Sequence, residues 1–245
     1  MGFQNWTFPL AVYGCYDTAS RKVMFLKLWT SNSSPQLVGR WYFDHLYETK
    51  KISSIIRLDR GTETGVLASM HAFLRRSHGD MAPGDTVQYG TSTTNRIERW
   101  WRELHERLEA FFTSQLLNLL DLGLYDREDD NDRSMMAYVY IPLIQREMDT
   151  FMELWNSSRC RLQKNTLMPD GIPDFIYCNP EAYGLEDQGW ELTLDELEKV
   201  ARVSGILNAA NDYLTEDFRR KCSQILPNPE SISVCQKRQQ HHTEH

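Results

Sequence analysis

Apolar and polar positions alternate between strand-like and helix-like patterns along most of the chain. Residues 8–16, Phe-Pro-Leu-Ala-Val-Tyr-Gly-Cys-Tyr, form an apolar and aromatic run. A second run, Val23–Trp29, follows the polar turn Asp17-Thr18-Ala19-Ser20-Arg21. Two such runs across a short turn predict a β-hairpin. Ser33 or Ser34 then caps a helix that has Pro35 at its first position. Leu37, Val38, Trp41, Tyr42 and Leu46 give that helix its apolar stripe. Residues 53–58 predict a third strand ending at Asp59. Thr62 or Thr64 starts the next helix, with Val66, Leu67, Met70, Phe73 and Leu74 facing inward.

Residues 77–94 are rich in Gly, Pro, Asp, Ser and Thr and predict a loop around a short strand at 86–89. Thr93 or Thr94 caps a long helix in which Ile97, Trp101, Leu104, Leu108, Phe111 and Phe112 keep helical spacing. The acidic stretch 126–132 marks a boundary. A further apolar helix runs through Met135, Val139, Leu143, Met148, Phe151 and Trp155, with Pro142 expected to kink it or mark a restart. Beyond residue 156 the pattern weakens. Thr193 and Glu196 form a capping box for a helix at 193–204, and a last helix covers 215–225. Strands alternating with helices predict an α/β fold, a mixed sheet covered on both faces by helices. The expected division is a core at 1–125, a helical end of the core at 126–175, a helical extension at 176–226 and a disordered tail at 227–245.

Composition narrows the function classes. With 245 residues, 41% hydrophobic and 25% charged, the chain is an ordinary globular protein. A net charge of −7 argues against bulk polyanion binding but leaves room for a local basic groove. Cys15, Cys160, Cys178, Cys222 and Cys235 are scattered, with no spacing typical of structural zinc or a disulfide framework. A reducing compartment is the simpler reading. No signal peptide is read, and no apolar run is long enough to span a membrane, so a secreted or membrane protein is not expected.

Two carboxylates carry the candidate chemistry. Asp59 ends the run Ile55-Ile56-Arg57-Leu58 and precedes Arg60-Gly61, so it points out of a strand end, where Gly61 allows a phosphate to approach the backbone. The same residue serves equally as a turn Asp capping the next helix. Glu98 lies in the first turn of its helix, at the margin of the face set by Ile97, Trp101, Leu104 and Leu108. The helix dipole alone favours an acid there. Glu63 and Asp44 read as solvated carboxylates. Arg96, Arg99, Arg102, His105 and Arg107 can line a nucleic-acid groove, or pair with Glu103 and Glu106 along the helix. His45, His71 and His78 read as structural or surface residues, and His241, His242 and His245 as part of the solvated tail.

These residues resemble a known family. Asp17-Thr18-Ala19-Ser20-Arg21 resembles the D-x-x-S-R turn of retroviral and retrotransposon integrases. Leu58-Asp59-Arg60-Gly61-Thr62-Glu63 resembles their second-aspartate segment, and Asn95-Arg96-Ile97-Glu98-Arg99 their glutamate helix. Trp155-Asn156-Ser157-Ser158-Arg159, followed by Thr166, Pro169 and Gly171, resembles the segment after the core in transposon-derived integrase-core proteins. The resemblance spans roughly residues 8–175. It implies a ribonuclease-H-like fold and an Asp-Asp-Glu polynucleotidyl transferase using Mg²⁺ or Mn²⁺. Asp59 and Glu98 would be catalytic and metal-binding, roughly 4–8 Å apart as a shared two-metal site requires. Arg60, Asn95, Arg96, Arg99 and Arg102 would contact DNA, and a homo-oligomer and a nuclear or intracellular location are implied. The family's first Asp belongs to a strand ahead of residue 8, and residues 1–7 hold no carboxylate. The chain is therefore expected to look truncated inside the fold and to be inactive as it stands. The alternative is a non-catalytic module, binding nucleic acid or protein, that retains the fold.

Overall fold

The computed structural model describes residues 7–79, 82–90, 95–160 and 169–233, with the side chains of Pro83 and residues 95–99 outside that description. The hairpin forms as expected: β1 (Ala11–Tyr16) pairs antiparallel with β2 (Val23–Trp29), Ala11 opposite Trp29 and Cys15 opposite Phe25. Its turn accounts for its own sequence. The Asp17 carboxylate accepts from the Ser20 backbone N–H at 2.7 Å, and the Arg21 N–H donates to the Asp17 carbonyl at 2.9 Å. Arg21 takes φ 68°, a left-handed conformation that costs a non-glycine residue about 1–2 kcal/mol and needs the surrounding bonds to hold it.

The hairpin separates two cores. Val12, Leu26 and Leu28 enter one; Phe25, with Tyr13, Cys15 and Trp29, enters the other. This is the two-residue alternation of a strand covered on both faces.

Helix α1 (Pro35–Thr49) has Ser34 as its cap and Pro35 at its first position, and its five predicted stripe residues are all buried. The expected third strand at 53–58 is instead two short strands, β3 (Lys51–Ser53) and β4 (Ile56–Leu58). A 3-10 turn, Thr62–Thr64, leads into α2 (Gly65–Arg76), and a single turn α3 (Pro83–Thr86) into β5 (Val87–Tyr89). β4 and β5 pair in parallel, Ile56 opposite Val87, so 56–89 is a compact strand-helix-strand unit.

The long helix is interrupted. α4 (Asn95–Leu104) and α5 (Ala110–Asp121) are joined by a π-turn, His105–Glu109. α6 (Asp130–Ser157) starts at an Asp129 cap and runs through Pro142 without a restart. α4, the π-turn, α5 and α6 line the first core through Trp100, Leu104, Leu108, Phe112, Leu116, Ile144 and Met148.

After α7 (Pro173–Cys178) come β6 (Gly189–Glu191), α8 (Leu194–Ser204) and α9 (Glu216–Ile225). β6 pairs antiparallel with β3, and α8 keeps the predicted Thr193/Glu196 capping box. Leu192, Leu197, Val200, Ala201 and Ile206 complete the second core with α1 and α2.

Residues 227–233 are ordered, against the expected tail: Pro229–Ser231 is a 3-10 turn, and the Arg146 guanidinium donates to the Glu230 and Ile232 carbonyls. Residues 234–245, including the three tail histidines, lie outside the described residues. The mixed α/β class holds, with small sheets flanked by helices. Among the described residues the strands form three two-stranded ladders rather than one continuous sheet.

Candidate metal and nucleic-acid site

Asp59 follows β4, whose Leu58 is buried and anchors the strand end, and the Asp59 and Arg60 side chains are exposed. The Asp59 carbonyl accepts the Gly61 N–H at 2.9 Å, which turns the chain back on itself. Gly61 is not open for a phosphate as expected. A Cβ there would lie 2.0 Å and 2.1 Å from the two Glu63 carboxylate oxygens, so Glu63 already occupies that face. Glu63 is correspondingly half-buried rather than solvated. Both carboxylates act on Tyr13 of β1. Its hydroxyl is pushed well above the ordinary tyrosine value by burial first, then by the charges of Cys15, Glu63 and Asp59. No ion pair engages Asp59 or Glu63 among the described residues.

α4 reaches the same strand from the first core. Trp100 is buried against Tyr16, Trp101 and Phe151, with ring centroids 6.2, 4.7 and 6.2 Å away. The Trp101 ring lies over Gly14, 3.6 Å from where a Cβ would stand, so a larger residue in β1 would meet the helix. Position 98 lies one turn before Trp101 on the same helix face. The side chains of Asn95, Arg96, Glu98 and Arg99 lie outside the described residues, and with them the expected Asp59–Glu98 separation.

Arg102 is exposed and makes no ion pair with Glu106 among the described residues, whereas Glu103 and Arg107 pair at 2.9 Å. The two readings of this basic stretch therefore divide: Arg107 is paired along the helix, and Arg102 has no ion pair among the described residues. One buried acid was missed. Glu109, 5% exposed, takes the His105 Nδ1 at 3.2 Å inside the π-turn. Burial raises its carboxyl above the ordinary value, against the opposing pull of His105. The three histidines have structural roles: His71 is buried and bonded to the Tyr42 hydroxyl at 2.6 Å, His45 packs on Phe25, and His78 lies 3.5 Å from Glu196. Asp44 pairs with Arg40 at 2.7 Å.

The Trp155-Asn156 segment is also structural. The Trp155 Nε1–H donates to the Arg21 carbonyl at 2.9 Å. The Asn156 amide accepts from the Val23 N–H at 2.8 Å and donates to the Val23 carbonyl at 2.9 Å, as a neighbouring strand would. Gln145 does the same for the Leu28 N–H and the Leu26 carbonyl, at 2.8 and 2.9 Å. Two amide side chains of α6 thus satisfy the free edge of β2. Thr166 lies outside the described residues.

No three His, Cys, Asp or Glu side chains gather closely enough to hold a metal ion among the described residues. Asp59 and Glu63 offer hard carboxylate oxygens, and neither forms an ion pair among the described residues, which suits Mg²⁺ or Mn²⁺ in kind. No helix among the described residues is long and apolar enough to cross a membrane. No curated protein and no solved structure matches the chain. A family model described as an integrase core domain matches residues 2–172, the greater part of the chain. This match shows that the chain belongs to the integrase core domain family.

Proposed function

We propose that these 245 residues form a DNA-binding integrase core descended from a mobile element, whose ancestral reaction is metal-dependent strand transfer, and that they bind DNA without transferring strands. The observation that carries the reading is the meeting of two elements on one strand. The charges of Glu63 and Asp59 reach the Tyr13 hydroxyl of β1, and the Glu98 helix lays Trp101 over Gly14 of the same strand. Integrase core domains generally use divalent metal and bind DNA. Asp59 and Glu98 would hold Mg²⁺ or Mn²⁺, and the bound ion supplies Lewis-acid activation of a phosphoryl oxygen and of the attacking hydroxyl. Arg60 and Arg102, exposed and without an ion pair among the described residues, would neutralise backbone phosphates, with Asn95, Arg96 and Arg99 alongside. Carboxylate oxygens are the ligand type that a hard divalent cation prefers. A nuclear location and a homo-oligomer accompany this reading, because chromosomal DNA is the substrate class and integrase-type enzymes act as multimers.

The test is the purified chain with labelled duplex DNA. Salt-sensitive binding is expected, weakened by Arg102→Ala, with no strand-transfer product in Mg²⁺ or Mn²⁺. A product that disappears with Asp59→Asn would overturn the inactive reading. The net charge of −7 favours a second reading, a non-catalytic module that binds protein, and failure to bind DNA at low salt would decide for it.

A further inference from the structure

Just past the end of α2, Ser77 and His78 meet Glu196 in the first turn of α8. The Glu196 Oε2 accepts the Thr193 backbone N–H at 2.9 Å and the Thr193 hydroxyl at 2.8 Å, within the capping box. Its Oε1 accepts the Ser77 hydroxyl at 3.0 Å and lies 3.5 Å from the His78 Nε2. One carboxylate thus caps α8 with one oxygen and faces α2 with the other. The Thr193 N–H before all, then the hydroxyls and His78, hold its carboxyl below the ordinary glutamate value, against the opposing effect of burial. It is therefore ionised across the range in which histidines change charge.

His78 is placed beside this carboxylate but not bonded to it. Its side chain is 17% exposed, and its ring centroid is 5.4 Å from that of Trp190 in β6. The Nε2 itself is buried and has no hydrogen-bond partner. A buried polar atom left in that state costs free energy, and 3.5 Å is too long for a good hydrogen bond. A neutral imidazole gains little there. A charged one donates from both nitrogens and meets three favourable partners. These are the Glu196 carboxylate, the carbonyl end of α2 and the Trp190 ring. One cation opposes it among the described residues: the Arg75 guanidinium of α2, 5.0 Å from the same Trp190 ring. Glu191, next along β6, alternates to the other face of the strand.

We infer that His78 and Glu196 are a proton-operated latch between α2 and α8. Charging the imidazole closes a further contact onto the carboxylate that caps α8, and neutralising it releases that contact. α2 lies within the stretch matched by the family model, whereas β6 and α8 lie beyond it. The latch therefore joins the integrase core to the segment that follows it, more tightly at mildly acidic pH than at alkaline pH. Both side chains keep some exposure, 17% and 23%, which keeps the effect modest.

The experiment is hydrogen exchange of the full 245-residue chain, read by mass spectrometry on peptides that cover β6 and α8. It is run at about pH 5.5 and about pH 8, on either side of histidine titration, with intrinsic rates corrected. Wild type is compared with His78→Phe, Glu196→Gln and the double variant. Phenylalanine keeps a ring against Trp190 but takes no proton, and glutamine can keep the capping box without the charge. At the lower pH each single variant should open α8 about 3-fold more often than wild type, the scale of a partly exposed ion pair. The double variant should open no more often than either single, since both changes remove one contact. At the higher pH the coupling between the two positions should vanish. A coupling of equal size at both pH values shows plain packing and overturns the latch. Absence of coupling at the lower pH overturns it too. Should His78→Phe not fold, Glu196→Gln against wild type decides: its loss of protection must be greater at the lower pH, and an equal loss at both rejects the inference.

Discussion

Ending the chain at residue 172, where the family match stops, is expected to unfold the half built on α1 and α2. Leu192, Leu197, Val200 and Ile206 are each no more than 5% exposed and pack with Val38, Trp41, Leu67 and Met70. Ile206 reaches α1 closely enough that a Cβ on Gly39 would stand 3.0 Å from its Cδ1. At about 1.5–3 kcal/mol for each buried aliphatic side chain, these four contribute about 6–12 kcal/mol, an upper figure because denatured chains already bury some surface. A whole domain of this kind has a net stability of about 5–15 kcal/mol. The cut also removes β6, the ladder partner of β3. The assay compares residues 1–172 with the full chain by near-ultraviolet circular dichroism, dye binding to exposed apolar surface and thermal melting. The shorter chain should lack a fixed aromatic signal and bind dye. A milder version is Ile206→Ala in the full chain, expected to cost about 2–5 kcal/mol as a buried large-to-small change. If residues 1–172 melt cooperatively at the full chain's midpoint, the segment after 172 is an appendage and this reasoning fails.

Three further outcomes are expected. Asn156→Ala leaves the Val23 N–H and carbonyl without partners in a buried setting and should cost about 2–4 kcal/mol by urea denaturation, with Gln145→Ala costing less because its site is partly open to water. Burial raises the Glu109 carboxyl, so its stabilising protonated form is fully present below the unfolded value and lost as pH rises through the folded one. The melting-temperature gap in favour of Glu109→Gln should therefore widen as pH climbs above about 4.5, and a gap independent of pH would refute the assignment. Thr193→Ala removes one half of the α8 capping box and should lower stability by about 1 kcal/mol, read as a fall of a few degrees in midpoint.

What was legible in the sequence was local. The hairpin, the Ser34-Pro35 start of α1 and the Thr193/Glu196 box are set by residues within a few positions of one another. The split of 51–58 into β3 and β4 was not legible, because β3's partner is β6, some 140 positions further on. The π-turn left a trace that the periodicity reading passed over. Trp100, Leu104, Leu108, Phe112 and Leu116 are all buried and spaced by four. A regular helix of 3.6 residues per turn would carry that series about 160° around its axis, and a widened turn brings it back to one face. At the site, strand-Asp-x-Gly marked Asp59's position, but nothing local showed that Gly61 makes room for Glu63 rather than for a phosphate.

The residues that resemble the family divide into two sets that share almost nothing. Asp17, Ser20, Arg21, Trp155 and Asn156 are bonded to one another or to the hairpin backbone. Asp59, Arg60 and Arg102 have no ion pair among the described residues. The first set holds the fold, and the second makes no ion pair that helps to hold it among the described residues. Substitutions confined to the second set are therefore expected to cost the fold little stability. The same division fixes the sign of one measurement. Asp59→Asn removes a negative charge from beside Glu63 and breaks no bond among the described residues, so the midpoint in chelator should hold or rise, as sites kept for function commonly behave. A fall of several degrees would mean that Asp59 helps to build the turn, and the separation of fold from chemistry would be lost at the residue on which it most depends.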